Sequence, residues 1–368
     1  CSPGVFQLGK IGLSSYQQDA HLDQIFDLMR ILNSRYRIFL ILLLVILPAT
    51  AAKVSWQIKE YRNHQYVPLS QVKDFYSLTS MTKSGSNIIL KNSDVELKFR
   101  AGGQEVLMNN VKFIFSHAVI SLGSYHISVM DLKKVIDPVL RPFKIKAAKG
   151  FDTVIIDPGH GGKDPGAVNS LGTEAGYNLK IARLLQDNLK KRGFKVVMTR
   201  STDVFLTLQE RVKRANLYRD AIFISIHFNS VGSRARSQAR GIETFTLSPV
   251  GVAHYGRGAQ ASDNIERMGN AQDSANIALA TAVHWSSIQL LARAKLEVPD
   301  RGIRRARYSV LTGVKHPAIL FEGGFMSHPK EKYLINNPTY QRTLAKSMCE
   351  AIVFYRKATM QKIGTTKR

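Results

Sequence analysis

The chain has 368 residues, more than one compact hydrophobic core usually takes up, so we expect two folded units with accessory segments. Hydrophobic residues make up 44% of it, an ordinary share that argues against disorder over most of its length. The formal net charge of +25 favours polyanionic partners, but it does not distinguish nucleic acid, anionic lipid and bacterial cell wall.

Residues 29–52 have the three-part layout of a secretory signal peptide: a basic stretch, the apolar run from Ile38 to Leu47, then proline and small residues. The run is too short to span a bilayer, which takes about 20 apolar residues. We expect cleavage after Ala51 or Ala52, export to the periplasm or cell envelope, and no stable membrane span after processing. Retention as an N-terminal anchor is the alternative. Residues 1–28 are interpreted as an uncertain extension from a mis-called start.

Residues 53–141 contain short alternating runs such as NIILKN and VELKFR, separated by glycine, serine and asparagine. This pattern predicts a small β-rich domain with hairpin turns at 84–86 and 102–103. It loosely resembles the copper-amine-oxidase-N-like stalk domain found on wall-active enzymes. The histidines of this part show no metal-ligand spacing, and we interpret them as surface or core residues: His64, His117 and His126.

After a short basic linker, 142–151, the pattern changes to strands that alternate with helices over residues 152–357. We expect an α/β domain with a mostly parallel sheet flanked by helices, in which ligands gather at the carboxyl ends of strands. Cys349 is predicted to be a small buried residue of the last helix. No internal disulfide is expected, because the other cysteine precedes the signal segment. Residues 358–368 form a basic tail.

Three side chains of metal-ligand type fall at the ends of these elements. His160 follows the first strand in IIDPGHGGKDPGA, His227 ends a later strand in SIHFN, and Glu174 begins a helix between them. Two imidazoles and a carboxylate suit a catalytic Zn²⁺ site that leaves a position for water. Taken singly, each histidine is more often a hydrogen-bonded core residue, and an acid at a helix N-terminus is favoured by the helix dipole alone.

A second acid, Glu322, follows an apolar strand-like run in PAILFEGGFMSHP. A carboxylate beside a metal site can take a proton from the attacking water and return it to the leaving amine. The alternative is a buried acid that pairs with an arginine of DRGIRRAR.

Together these segments closely resemble the zinc-dependent N-acetylmuramoyl-L-alanine amidases of the Amidase_3 type. The resemblance covers residues 152–357 and runs in order through DPGHGGKDPGA, TRSTDVFLTLQERVKRAN, FISIHFN, RGIETF, DRGIRRARYSVL and PAILFEGGF. It implies one Zn²⁺ per domain held by His160, Glu174 and His227, with Glu322 as the catalytic residue. The family usually has alanine where Phe228 stands and a bulkier apolar residue in place of Gly323.

The resemblance implies a peptidoglycan hydrolase that cleaves the amide bond between N-acetylmuramic acid and L-alanine of the stem peptide, for cell-wall remodelling and daughter-cell separation. One alternative is a catalytically silent wall-binding protein on the same fold, which would normally lack a ligand or the glutamate. A second is an exported zinc peptidase, although HExxH is absent. A third, a nucleic-acid binder, conflicts with export.

Other residues are candidates for binding the substrate or a protein partner. Arg301 and Asn229 are the candidate substrate-binding residues, while most of the neighbouring arginines are interpreted as a solvated basic face: Arg304, Arg305 and Arg307. Residues 248–273 look like an insertion, either a surface excursion along the substrate groove or, as in related amidases, a segment that a protein activator displaces from the zinc site. We expect peptidoglycan as partner, no nucleic acid, and a monomer.

Overall fold

The computed structural model describes residues 55–145, 150–232, 238–296 and 298–360. The predicted upstream extension and signal peptide lie outside these residues. Within the described ranges, the structure contains no helix with the length and apolar character needed to cross a membrane.

The first part of the chain is β-rich, as predicted. It contains an antiparallel meander, and two of the turns of this meander lie at the predicted positions. Its strands are β3 Ser80–Ser84, β4 Asn87–Lys91, β5 Glu96–Arg100, β6 Glu105–Met108 and β7 Val111–Ile114. A second sheet of order β1-β2-β9-β8 consists of β1 Lys59–Tyr61, β2 His64–Pro68, β8 Ile120–Ser121 and β9 Tyr125–Ser128.

Two short helical segments follow β2 and β9. Helix α1 spans Leu69–Phe75. Helix α2, Val129–Asp131, continues through a π-helical stretch, Leu132–Ile136, into α3, Asp137–Leu140. Their buried apolar side chains share one hydrophobic core with the meander and with one part of the remaining chain, while a second cluster is separate.

The second part has strands alternating with helices. Its main strands are β10 Thr153–Pro158, β13 Lys195–Met198, β14 Ala221–Asn229, β15 Ile242–Leu247, β16 Asp300–Ala306 and β17 Ala318–Phe325, and a small hairpin comprises β11 Val168–Asn169 and β12 Gly172–Thr173. The order is β13-β10-β14-β17-β15-β16. Neighbours are parallel except β17 and β15, which are antiparallel. The mostly parallel sheet is therefore confirmed, and β15 and β16 run opposite to the other four.

Helices cover both faces of this sheet. Helices α4 Glu174–Lys191, α6 Asp273–Arg293 and α9 Pro338–Met360 pack against one another on one face, and α5 Leu208–Asn216 and α7 Ser309–Gly313 pack on the other; α8 spans Glu331–Asn336. The apolar side chains of α4 at Leu179, Ala182, Leu185 and Leu189 are buried, and Gly193 follows its end with φ of 77°. Cys349 is buried on the last helix, as predicted.

The two parts of the chain share one sheet. Strand β7 pairs with β16 in parallel, which extends the six-stranded sheet to eleven strands. Asp300, at the start of β16, accepts a hydrogen bond from the Lys112 amide at 3.1 Å and lies 2.9 Å from His284 Nε2. His284 Nδ1 lies 2.9 Å from the Thr244 hydroxyl. A buried polar chain thus connects the β-rich part to β15.

Candidate active site

The loop after β10 carries His160 in the left-handed region, with φ of 60°. Glycines around it allow close approach of the other site residues. A Cβ atom at Gly159 would lie 2.1 Å from the ring of His227, and one at Gly166 would lie 2.7 Å from both Glu174 Oε2 and the ring of His160. Only glycine fits at these two positions. The glycines of the DPGHGGKDPGA motif therefore allow His160, Glu174 and His227 to lie close together.

Two buried arginines hold this loop. Arg200 donates a hydrogen bond to the carbonyl of Gly159 at 2.8 Å, and Arg211 donates one to the carbonyl of His160 at 2.7 Å. Arg211 also forms a buried ion pair with Asp157 at 2.8 Å. Because these charged groups are paired with each other or with backbone carbonyls, they fix the position from which the His160 side chain projects.

The structure brings the three predicted ligands together. One potential ligand atom from each of His160, Glu174 and His227 lies within 4.8 Å of the others, the one such group found among the described residues. Glu174 Oε1 lies 2.8 Å from His227 Nδ1 and 3.1 Å from His160 Nε2. Glu174 is buried, and its second oxygen accepts a hydrogen bond from the Ala167 amide. This donor set, two imidazoles and one carboxylate facing a common point, fits Zn²⁺.

Asp164 completes this group and was missed by the sequence analysis. Its carboxylate lies 2.8 Å from Nδ1 of His160, on the side of the ring away from Glu174. A carboxylate on the far nitrogen orients a histidine that binds metal through its other nitrogen. The spacing of four residues in HGGKD was the available signal.

Electrostatics favour a negative charge on Glu174. Burial raises the pKa of Glu174, but hydrogen bonds from His160 and His227 outweigh it, and the pKa is well below its ordinary value. Burial lowers the pKa of His160, but Glu174 and then Asp164 outweigh it, and the pKa is raised. The carboxylate therefore attracts cations into the group.

Glu322 lies on β17 between two other site residues. In the register of the sheet it is opposite His227 on β14 and opposite Glu243 on β15. Its side chain is buried, and its Oε2 has no hydrogen-bond partner among the described residues. Burial, then the charges of Glu174 and Glu243, raise its pKa well above the ordinary value. Such a carboxyl group is suited to hold a proton.

Glu243 is a second residue that the sequence analysis missed. It is buried and contacts Arg301 and Arg304, and it accepts a hydrogen bond from Asn229 Nδ2 at 2.9 Å. Arg301 and Arg304 of DRGIRRAR thus pair with Glu243 rather than with Glu322. In a parallel sheet, site residues are expected at the carboxyl ends of the strands. Because β15 runs antiparallel to β17, its amino end reaches the site instead.

The expectation of a solvated basic face is wrong for the neighbouring arginines. Arg304 and Arg305 are buried, and the Arg307 side chain is only 10% exposed. Arg305 donates hydrogen bonds to Thr246 Oγ1 and to the carbonyl of Lys134. These guanidinium groups donate hydrogen bonds to buried carbonyls or pair with buried acids. The hydropathy pattern along a strand does not reveal such partners.

The segment 248–273 folds back on β16. Arg307 Nη2 donates hydrogen bonds to the carbonyls of Pro249, Val252 and Asp263, at 2.8, 2.9 and 2.7 Å. Asp263 also forms an ion pair with Arg307. The ring of Tyr255 lies 4.1 Å from the guanidinium carbon of Arg304, which contacts Glu243. The segment therefore lies beside the site.

The histidines of the β-rich part lie apart from this group. His64 is exposed and its ring lies 4.0 Å from that of His117, while His126 is buried with Nδ1 2.7 Å from the carbonyl of Ser124.

Comparison with known proteins identifies a matching family and several relatives. The model of the Amidase_3 family, described as N-acetylmuramoyl-L-alanine amidase, matches residues 154–353. The chain is 31% identical to the N-acetylmuramoyl-L-alanine amidase AmiC of Escherichia coli over 61% of this chain and 58% of that protein. It is 29% identical to AmiC of Neisseria meningitidis over 57% of this chain and 54% of that protein. The chain thus spans little more than half the length of these two relatives.

Two further matches concern shorter proteins. Protein YqiI of Bacillus subtilis is 31% identical, with 55% of this chain and 84% of that protein covered. The solved catalytic domain of CwlV, an amidase from Bacillus (Paenibacillus) polymyxa, is 31% identical, with 56% of this chain and 99% of that domain covered, at a TM-score of 0.46. Since the family model spans more than half of the 368 residues, the chain belongs to the Amidase_3 family of N-acetylmuramoyl-L-alanine amidases.

Proposed function

We propose that this protein is a zinc-dependent N-acetylmuramoyl-L-alanine amidase of the periplasm or cell envelope. It hydrolyses the amide bond between the lactyl group of N-acetylmuramic acid and L-alanine, in wall remodelling and daughter-cell separation. The observation that carries the proposal is the convergence of His160, Glu174 and His227, with Glu322 on the strand beside His227. A silent wall-binding protein would not need all four residues.

The three ligand residues would hold the metal through His160 Nε2, Glu174 Oε1 and His227 Nδ1. A zinc ion bound there would supply Lewis acidity to the scissile carbonyl and to the attacking water. The protein's own contribution is to fix these atoms before substrate arrives. Asp164 orients one imidazole, and the Ala167 amide orients the carboxylate.

Glu322 is the proton carrier in this proposal. It takes a proton from the water that attacks the lactyl carbonyl, and it returns that proton to the alanine nitrogen as the carbon–nitrogen bond breaks. The raised pKa and the unpartnered Oε2 support the role, because a group that shuttles a proton needs an oxygen free of other donors.

The segment 248–273 is the proposed point of regulation: it restricts access to the site until a protein partner displaces it. The support is its position, with Tyr255 against Arg304 and with His254 beside Tyr308. Burial, then the charges of Glu322 and Glu243, raise the pKa of Tyr308 to about 12.

Mass analysis of digested cell walls tests the activity. Purified peptidoglycan sacculi treated with the protein should release stem peptides that begin with free L-alanine, and the glycan strands should keep unsubstituted lactyl groups. Peptides cut at an internal bond would favour a peptidase instead. Intact sacculi that retain bound protein would favour the wall-binding alternative.

A further inference from the structure

Arg301 differs from the arginines around it in how its guanidinium is used. Its Nε donates to Glu243 Oε1, and its guanidinium carbon lies 4.8 Å from the centre of the Phe325 ring. The side chain is 29% exposed. The acid on one side and the aromatic ring on the other hold the planar group in one orientation.

The two terminal nitrogens of Arg301 have no hydrogen-bond partner among the described residues. Each neighbour, in contrast, has a terminal nitrogen engaged: Arg304 with Glu243, Arg305 with Thr246, and Arg307 with the carbonyls of 249–263. Arg301 is therefore the member of this row whose donors remain available at the surface of the site.

One carboxylate is shared here by two guanidinium groups. Glu243 carries a single negative charge and contacts both Arg301 and Arg304, so it does not neutralise the two guanidinium groups. A planar group with two parallel donors matches a carboxylate, which accepts both donors at once.

We infer that Arg301 binds the free carboxylate of the residue that follows L-alanine in the stem peptide. This inference rests on the proposed function. Arg301 lies on β16, on the β15 side of Glu322, so the stem peptide runs over β15 and β16. The glycan then extends over the opposite side of the site, towards β10 and β13. Glu243 is a positioning residue, since it acts by holding Arg301.

A pair of soluble muropeptides tests the inference. The two substrates differ only in the second residue of the stem, D-glutamate with a free carboxylate or D-isoglutamine with a neutral carboxamide. The wild-type protein should prefer the carboxylate by about tenfold or more in kcat/KM, mainly through KM, as expected for a charge-assisted hydrogen bond. Arg301→Met should abolish the preference, and Arg301→Lys should retain part of it.

Arg342→Met is the matched control, because it removes the same charge from an exposed position on α9 where the side chain donates a hydrogen bond to Thr339, outside the candidate site. It should leave the preference unchanged. An identical preference in wild type and Arg301→Met would overturn the inference while the amidase function stands. Failure of both the wild-type protein and Arg307→Ala, in which the segment 248–273 is released, to cleave either muropeptide would instead overturn the proposed function.

Discussion

Phe228 occupies the space that a side chain at position 323 would need. A Cβ atom at Gly323 would lie 2.8 Å from Cε1 of Phe228. The ring lies at an irregularity in the pairing of β14 with β17, between His227 and Asn229. The two positions are thus complementary: a large residue at 228 requires a small one at 323.

A double-mutant cycle tests this compensation. Phe228→Ala should destabilise the protein by about 3–4 kcal/mol because it leaves a cavity, and Gly323→Ala should cost about 1–3 kcal/mol by overpacking. The double variant should be more stable than the sum of the two effects predicts, as measured by urea unfolding. Strict additivity would show that the two positions are independent.

Glu322→Gln should lower the rate of wall digestion by about 10²–10⁴-fold, the usual contribution of a general acid–base group. The replacement is nearly isosteric, so the melting temperature and the bound zinc should stay close to those of the wild-type protein. Turbidity loss of a sacculus suspension measures the rate. Lytic activity near the wild-type level would remove Glu322 from the mechanism.

Arg307→Ala should release the segment 248–273 from β16, because three carbonyls and Asp263 lose their common donor. We expect faster tryptic cleavage at Arg257 and Arg267 and, without any partner, faster digestion of sacculi. This variant is gentler than deleting the segment, since buried Asn276 outside the segment donates a hydrogen bond to the carbonyl of Gly269 within it. Faster proteolysis with unchanged lytic activity would argue against regulation by this segment.

His284→Ala should destabilise the protein by about 3 kcal/mol, because Thr244 and Asp300 lose a buried partner and a cavity remains. His64→Ala is the matched control, since that side chain is exposed; it should change stability by less than about 0.5 kcal/mol. Urea denaturation measures both. Equal effects would show that the polar chain to the β-rich part contributes nothing.

Much of the site could be predicted from the sequence because its residues lie on strong patterns. The apolar strands that end near His160, His227 and Glu322, and the helix that begins at Glu174, are each recognisable alone. Their convergence follows from the alternation of strands and helices.

The remainder depended on contacts far apart in the chain. Glu243 reaches the site only because β15 is antiparallel to β17. The direction of a strand in a sheet cannot be predicted from the hydropathy pattern. The joining of β7 to β16 rests on pairing between residues 113 and 303. The burial of Arg304 and Arg305 depends on carbonyls and acids supplied by other segments.

Zinc held by His160, Glu174 and His227 is tested most directly by measuring metal content and sacculus digestion on the same preparation. We predict one zinc ion per chain, loss of digestion when a chelator removes it, and recovery when Zn²⁺ is restored. Glu174→Gln should purify with less zinc and without activity. A protein that digests sacculi at full rate while containing no metal would contradict the assignment of these three residues.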